Sequence, residues 1–279
     1  FSPKLIQNLK ILMTESESNR LLYPTDFHKS VQTLSFRGLN KEFTGYKQCD
    51  AHEFFIFLID HIHEYIKKPI EIEISGESQN QEDDVALEAM TQWKSFYENG
   101  YSKIIQLFGG QYYSQVSRKD SISNNFDPFT NLFLEINSTR GGNINIYDLF
   151  DDFCTKEEIL IDTSNSLTKS ISFWELPEYL VITFKRFNGR FQKINNLIDF
   201  PLRGLDLGKY CKGYNKEDCV YNLVGVINHM GGVDGGHYIA LCKKGKQWFQ
   251  LNDGNASGID KTQVVSANAY CLFYKKIKI

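Results

Sequence analysis

The densest concentration of reactive side chains lies between Met230 and Asp253. Gly231, Gly232, Gly235 and Gly236 lead into His237, and Asn252 and Asp253 close the stretch. A histidine held by an amide or a carboxylate presents one tautomer and can take a proton from a thiol or hydroxyl. The elements that must bring these residues together form a hairpin. His237 to Cys242 reads as a short apolar strand, Lys243-Lys244-Gly245-Lys246 as a polar turn, and Gln247 to Leu251 as the return strand. With a four-residue turn, Cys242 faces Gln247, Tyr238 faces Leu251 and His237 faces Asn252. Opposed residues in an antiparallel pair have Cβ atoms about 4.5–5.5 Å apart, so imidazole and amide meet across one rung. Asp253 then points to the other face, and a one-residue slip or a bulge would put it opposite His237 instead. A lone sheet histidine is more often structural. The bare backbone of the flanking glycines argues otherwise, because it suits close approach of an extended peptide.

A histidine of this kind needs a nucleophile. The chain has six cysteines, Cys49, Cys154, Cys211, Cys219, Cys242 and Cys271, with no Cys-x-x-Cys pair. Cys49 precedes an apolar helical pattern, and a helix N-terminus stabilises a thiolate. Cys49, His237 and Asn252 also reproduce the Cys…His…Asn order of papain-like proteases. On physical grounds alone Cys49 is the nucleophile to choose. The other five cysteines fall in strands or polar connections and read as structural.

Three stretches carry a family resemblance. Gly235-Gly236-His237-Tyr238 followed by Trp248-Phe249-Gln250-Leu251-Asn252-Asp253 resembles the histidine box of the ubiquitin-specific proteases. Gln48-Cys49-Asp50-Ala51-His52-Glu53-Phe54 resembles that family's Gln-Gln-Asp-Ala-His-Glu-Phe block. Leu176-Pro177, with Phe184-Lys185-Arg186-Phe187, resembles its Leu-Pro…Leu-Lys-Arg-Phe strand. The resemblance spans nearly the whole chain, in family order. It places Cys49 at the second Gln of the block rather than at the nucleophile. The family's Gly-x-Thr-Cys-x-Asn-like box is absent, and the resemblance implies that the attacking Cys lies upstream.

The resemblance implies an α+β, papain-like cysteine protease fold. A helical thumb would cover about 1–105, reduced fingers 106–175, and an antiparallel β palm with the histidine box 176–279. The implied function is thiol-dependent hydrolysis of the isopeptide bond after the C-terminal Gly-Gly of ubiquitin. His237 would be the base, oriented by Asn252, with Asp253 sharing that role. Gly235, Gly236 and Tyr238 would line the channel for the diglycine tail. Gln48, Asp50 and Glu53 would meet the basic tail, although Asp50 and Glu53 are equally well explained as helix-start carboxylates favoured by the dipole. The alternative is a catalytically inactive ubiquitin-binding module, and a third reading is a scaffold. No cofactor is implied. Many relatives carry a zinc ribbon in the fingers, but Val116-Ser117-Arg118-Lys119 and Ile161-Asp162-Thr163-Ser164 stand near those places without four ligands. His52, His61 and His63 lack metal spacing and read as packing or surface residues.

Totals set the broad class. The 279 residues, 42% hydrophobic and 14% aromatic, can bury one large core or two small ones. A net charge of −3 makes no general case for nucleic acid or membrane partners, and no apolar run approaches a membrane span. Ubiquitin and ubiquitinated proteins are the expected partners. Unstapled cysteines fit a reducing cytoplasm or nucleus. With no signal peptide and Phe1 at its start, the chain reads as a segment of a longer one.

Periodicity supplies the remaining expectations. Residues 1–68 read as helical, with Leu5, Leu9, Leu12 and Met13 at helical spacing and a turn at Tyr23-Pro24-Thr25-Asp26. The strongest helix, about Asp50 to Lys67, should bury Phe54, Phe57, Leu58, Ile62 and Ile66. Glu71 to Glu88 carries seven acids and no Lys or Arg, and reads as a solvated loop. A helix follows from Val85 to about Tyr97. Ile104 to Gly110 reads as a strand entry, and 111–175 as short polar strands. Tyr179 to Phe187, apolar on both faces, reads as a central strand. Asn222–Ile227 and Ala269–Tyr274 join the hairpin in a largely antiparallel sheet.

Overall fold

The computed structural model describes residues 3–16, 22–38, 41–119, 121–137, 143–160, 166–233 and 235–277. Five helices come first: α1 (Pro3–Ser16), α2 (Thr25–Arg37), α3 (Ala51–Ile66), α4 (Gln81–Tyr97) and α5 (Lys103–Phe108). Each of the last three starts on a side-chain cap. Asp50 accepts from the amides of His52 and Glu53, Asn80 from Asp83, and Ser102 from Ile104 and Ile105. The caps explain two corrections. The fourth helix begins at Gln81 rather than Val85, because Asn80 opens it. Lys103–Phe108 is a helix rather than a strand entry. Its apolar run fits either period, and Ser102 before it with Gly109 after it decide the matter. A Cβ on Gly109 would stand 2.5 Å from the Ile105 carbonyl oxygen.

A small sheet follows, built from β1 (Gly110–Arg118), β2 (Ser121–Asn125) and β3 (Pro128–Phe129). The chain then makes β4 (Leu132–Glu135), the short β5 (Ile144–Asn145) and α6 (Ile146–Phe153) before returning as β6 (Glu157–Leu160) and β7 (Ser166–Glu175). The small sheet has order β2-β1-β7-β6, with β3 also on β1. Helix α6 was not expected within 111–175. Its signature is a capping box: Asn145 accepts from the Tyr147 amide, and Asp148 accepts from the Asn145 amide at 2.9 Å. Cys154 closes this helix. Among the described residues no group of three or more His, Cys, Asp or Glu side chains is arranged to hold a metal. Ile161–Ser164, one of the two places compared with a zinc ribbon, lies outside the described residues.

The large sheet completes the chain: β8 (Tyr179–Lys185), β9 (Ile198–Asp199), β10 (Arg203–Asp206), β11 (Val220–Gly231), β12 (Gly236–Lys244), β13 (Gln247–Asn252), β14 (Asn255–Ile259) and β15 (Ala269–Lys276). Its order is β14-β13-β12-β11-β15-β8-β4, with β10 on β11, while β9 pairs only with β5. Strand β8 is therefore one place from the edge, not central. Its residues Leu180 to Phe184 are all buried: Leu180, Ile182 and Phe184 join the main core, and α5 packs on the strand through Phe108 against Tyr179. The main core runs along this sheet, from Leu132 and Leu134 through Leu180, Ile182 and Phe184 to Leu272 and Tyr274.

Arg186 shows what the Lys-Arg-Phe stretch does here. Its side chain is 1% exposed, and its guanidinium donates to the carbonyls of Ala269, Ile194 and Asn196. Burial lowers its pKa to about 10, so it still carries its charge at neutral pH. This one residue ties the loop after β8 to the start of β15.

The helical part packs less deeply. Of the residues of α3 only His52 and Ile59 are buried, and the expected stripe of Phe54, Phe57, Leu58, Ile62 and Ile66 is half-buried. Phe54 and Phe57 pack on Phe43, while Phe55 reaches Phe108 of α5 and Phe273 of the large sheet.

Candidate active site

The β12–β13 hairpin turns at Gly245-Lys246, with Lys244 opposite Gln247, Cys242 opposite Phe249 and Ala240 opposite Leu251. Gly245 has φ +62 while Lys246 keeps a negative φ, the pattern of a two-residue type II′ turn. The four-residue turn is therefore corrected, and the register moves by two residues. Because side chains alternate with period two, such a move keeps every residue on its face. His237 now meets Asn252 on the diagonal rather than across one rung, still within reach of long side chains. His237 Nε2 lies 2.7 Å from Asn252 Oδ1. An amide oxygen only accepts, so Nε2 carries the proton and Nδ1 keeps its lone pair.

Asp253 is the first residue of the next tight turn, with φ +49, between paired Asn252 and Asn255. Its Oδ2 is 3.9 Å from His237 Nε2, beyond hydrogen-bond reach, and its side chain is 81% exposed. Asn252 is thus the hydrogen-bonding partner of His237, and Asp253 an electrostatic neighbour.

Gln48 spans from the start of α3 to the histidine strand. Its amide nitrogen donates to the Gly236 carbonyl and its amide oxygen accepts from the Gly236 N–H, both at 3.0 Å. The position accepts only glycine, since a Cβ on Gly236 would lie 2.2 Å from His229 Nε2 and 2.7 Å from the Met230 carbonyl oxygen. On Gly235 the nearest atom to a Cβ would be Gln48 Oε1 at 3.5 Å. This neighbour leaves the two consecutive glycines with different constraints.

Asp50 is fully engaged within the chain. Oδ1 caps α3, at 2.8 Å from the His52 amide and 3.1 Å from the Glu53 amide. Oδ2 accepts from the hydroxyls of Tyr238 (3.1 Å) and Tyr270 (2.7 Å). Burial and the Asp50 carboxylate together hold both phenols protonated, far above their ordinary pKa. Asp50 thereby fastens the start of α3 to β12 and β15, and Tyr238 is anchored at its hydroxyl. Glu53 is half-exposed in the first turn of α3, 3.8 Å from His52 Nδ1.

Gln48, Asp50, Gly235, Gly236, His237, Tyr238 and Asp253 border one cleft of about 580 Å³, whereas Asn252 and Glu53 are not among its lining residues. Gln48, Cys49 and Asp50 form one wall, and Gly235, Gly236 and His237 the other. Phe187, Phe191, Val233 and His229 also line it, and sequence reasoning did not single them out. His229 was legible in principle. Two apolar strands flanking the glycine loop imply a second hairpin, and in it His229 pairs with Tyr238. Burial, then nearby Lys193, lowers its pKa and keeps the ring neutral.

Cys49 borders the same cleft but is configured against attack. Its single S–H is shared between the carbonyls of Glu42 (3.2 Å) and Lys47 (3.3 Å), and burial with the Glu42 carboxylate raises its pKa. Burial likewise pushes Cys154 and Cys271 up to about 12. Cys211 alone is held below its ordinary value, by a hydrogen bond with Cys219, and both lie in the core.

The family model for ubiquitin carboxyl-terminal hydrolases matches residues 2–274. The chain belongs to the ubiquitin carboxyl-terminal hydrolase family. Ubiquitin carboxyl-terminal hydrolase 2 of Gallus gallus is 31% identical over 291 residues, covering 98% of this chain and 78% of that protein. Ubiquitin carboxyl-terminal hydrolase 8 of Saccharomyces cerevisiae is 30% identical over 260 residues, covering 85% of this chain and 51% of that protein. Among solved structures, the SAGA DUB module of Ubp8, Sgf11, Sus1 and Sgf73 bound to monoubiquitin matches with a TM-score of 0.70 and 26% identity. That match covers 91% of this chain and 53% of the other. The hydrolase fold is thus the papain-like α+β fold expected from the motifs. The chain spans about half the length of several of its hydrolase relatives.

Proposed function

We propose that this hydrolase domain cleaves the isopeptide bond after the C-terminal Gly-Gly of ubiquitin, in a cytoplasmic or nuclear protein. The observation that carries the reading is the 2.7 Å bond between His237 and Asn252 at the end of a cleft walled by Gly235 and Gly236. His237 Nδ1 would take the proton of an attacking thiol, whose sulfur adds to the carbonyl carbon. The imidazolium then returns the proton to the leaving lysine amine, and water releases the acyl group by the reverse sequence. Asn252 fixes the ring and, being neutral, stabilises the imidazolium less than an aspartate would. The reading assigns the cleft that Gln48, Gly235 and Gly236 line beside His237 to the diglycine tail. The attacking cysteine is assigned to sequence preceding Phe1, since Cys49 and Cys154 are held protonated and the remaining thiols are buried or in strands.

The rival reading is a ubiquitin-binding module without activity, favoured for these residues by the guarded state of Cys49. Assay of the full-length protein on a ubiquitin–lysine isopeptide substrate separates the two. Turnover that vanishes in His237→Ala supports the hydrolase reading, and absence of turnover in the unaltered protein supports the binding module.

A further inference from the structure

The link between α3 and α4 contains a segment that lies outside every helix and sheet and is unpaired beyond Ile70. Pro69-Ile70-Glu71-Ile72-Glu73-Ile74-Ser75 alternates isoleucine and glutamate, a period-two pattern. It runs from Pro69 to Ser75 without helix, turn or bend, and bends only at Gly76, where φ is +110. Ile72 and Ile74 are half-buried while Glu71 and Glu73 are exposed. Ile74 lines a small groove together with Ala86, Leu87 and Met90 of α4. The segment is anchored at its start, where Lys68 and Tyr101 exchange backbone hydrogen bonds and the Ile70 amide donates to Glu98. From Glu71 to Glu77 no backbone hydrogen bond is made to any described residue.

Such a segment presents unpaired backbone donors and acceptors beside an apolar groove on α4. Proteins usually block such an edge with lysine, proline or a covering element. Here the outward side chains are Glu71 and Glu73, and the run of seven acids to Glu88 contains no Lys or Arg. Some of those acids are engaged locally: Asp83 accepts from Tyr214, Asp84 from Ser78 and Glu88 from Asn124. Glu71 and Glu73 make no ion pair with a described residue. Two copies of this edge would repel each other, since like charges opposed in a ladder are unfavourable. A cationic strand would be drawn to it.

We propose that Ile70–Ser75 is a β-strand addition site that pairs with the exposed edge strand of a partner protein flanked by lysine or arginine. The ladder supplies affinity, and Glu71 and Glu73 supply the choice of partner. The site is independent of the cleft at His237, and so of the proposed activity.

The probe is a seven-residue capped peptide alternating lysine and valine, titrated into the full-length protein by calorimetry and by amide hydrogen exchange. It should bind, and should slow exchange at Ile72 to Ser75. The same peptide N-methylated at every inner residue keeps its charge but cannot form a ladder. It should bind on the order of tenfold more weakly or worse, the equivalent of about 1.4 kcal/mol. Glu71→Lys with Glu73→Lys, confirmed folded by an unchanged melting temperature, should lose binding of the unmethylated peptide. Equal binding of the methylated peptide would overturn the proposal in favour of charge attraction alone. No binding, or binding without protection of these amides, would also overturn it.

Discussion

The two walls of the cleft carry the same pair of residue types that a papain-like protease uses, but treat them in opposite ways. On one wall His237 has a single acceptor, Asn252 at 2.7 Å, and its Nδ1 makes no hydrogen bond to a described residue. On the other, Cys49 has two carbonyl acceptors and a neighbouring carboxylate, all of which favour the protonated thiol. Chain order alone makes both residues catalytic. Hydrogen-bond partners and charge separate them, and the lesson is that a nucleophile is recognised by its surroundings before its sequence position.

The contrast can be broken or sharpened by substitution in the full-length protein. The largest effect should come from His237→Ala, which removes the base. A fall of about 10²–10⁴-fold in kcat is expected on a ubiquitin–lysine substrate, the usual worth of general acid–base catalysis. Gly236→Ala should come next. The new methyl collides with His229 and the Met230 carbonyl. The loss should include both activity and about 1–3 kcal/mol of stability, read by denaturant unfolding. Asn252→Ala removes a hydrogen bond to a group that becomes charged. At about 1.5–3 kcal/mol, kcat should fall on the order of 10–100-fold. Asp253→Ala should cost less than about threefold, because its carboxylate is exposed and beyond hydrogen-bond reach. If the order of these two is reversed, Asp253 orients the ring and the contrast needs redrawing. Cys49→Ala should leave kcat within about twofold, within the range of a packing change at a half-buried position.

The smallest expected effect is in pH. Burial lowers the pKa of His52, His63 and His229 below 6.5 in the folded chain. The unfolded chain then binds more protons in the window just below 6.5. Their contribution to stability is complete above that value and is lost as pH falls through the window. Asp60, whose pKa burial raises, acts in the opposite sense from pH 3.8 upward. The melting temperature should therefore decline modestly between pH 7.5 and 5.5. His229→Gln should flatten that decline, and a flat profile in the unaltered protein would contradict the assigned burial effects.

Much of this was legible in the sequence, for identifiable reasons. Asp50 and Glu53 were readable as helix-start carboxylates, and Asp50 proves to be the α3 cap. The His237–Asn252 contact was readable although the turn was not. Gly245-Lys246 forms a two-residue turn instead of four, and the register error of two preserved the face. What stayed hidden depended on distant residues. Tyr270 reaches Asp50 from 220 positions away, and Gln48 reaches Gly236 from 188. Strand β8 read as central because burial on both faces resembles centrality, whereas covering layers produced it. Helix α6 was missed because its eight residues are too short for periodicity to show, although its capping box was in plain sight.

The central claim is that His237, held by Asn252, serves a thiol other than Cys49. The most direct measurement is reaction of the full-length protein with ubiquitin bearing a C-terminal electrophile, followed by peptide mass mapping of the adduct. The account predicts a single adduct on a cysteine preceding Phe1, formed more slowly in Asn252→Ala. An adduct on Cys49, abolished by Cys49→Ala, would contradict it.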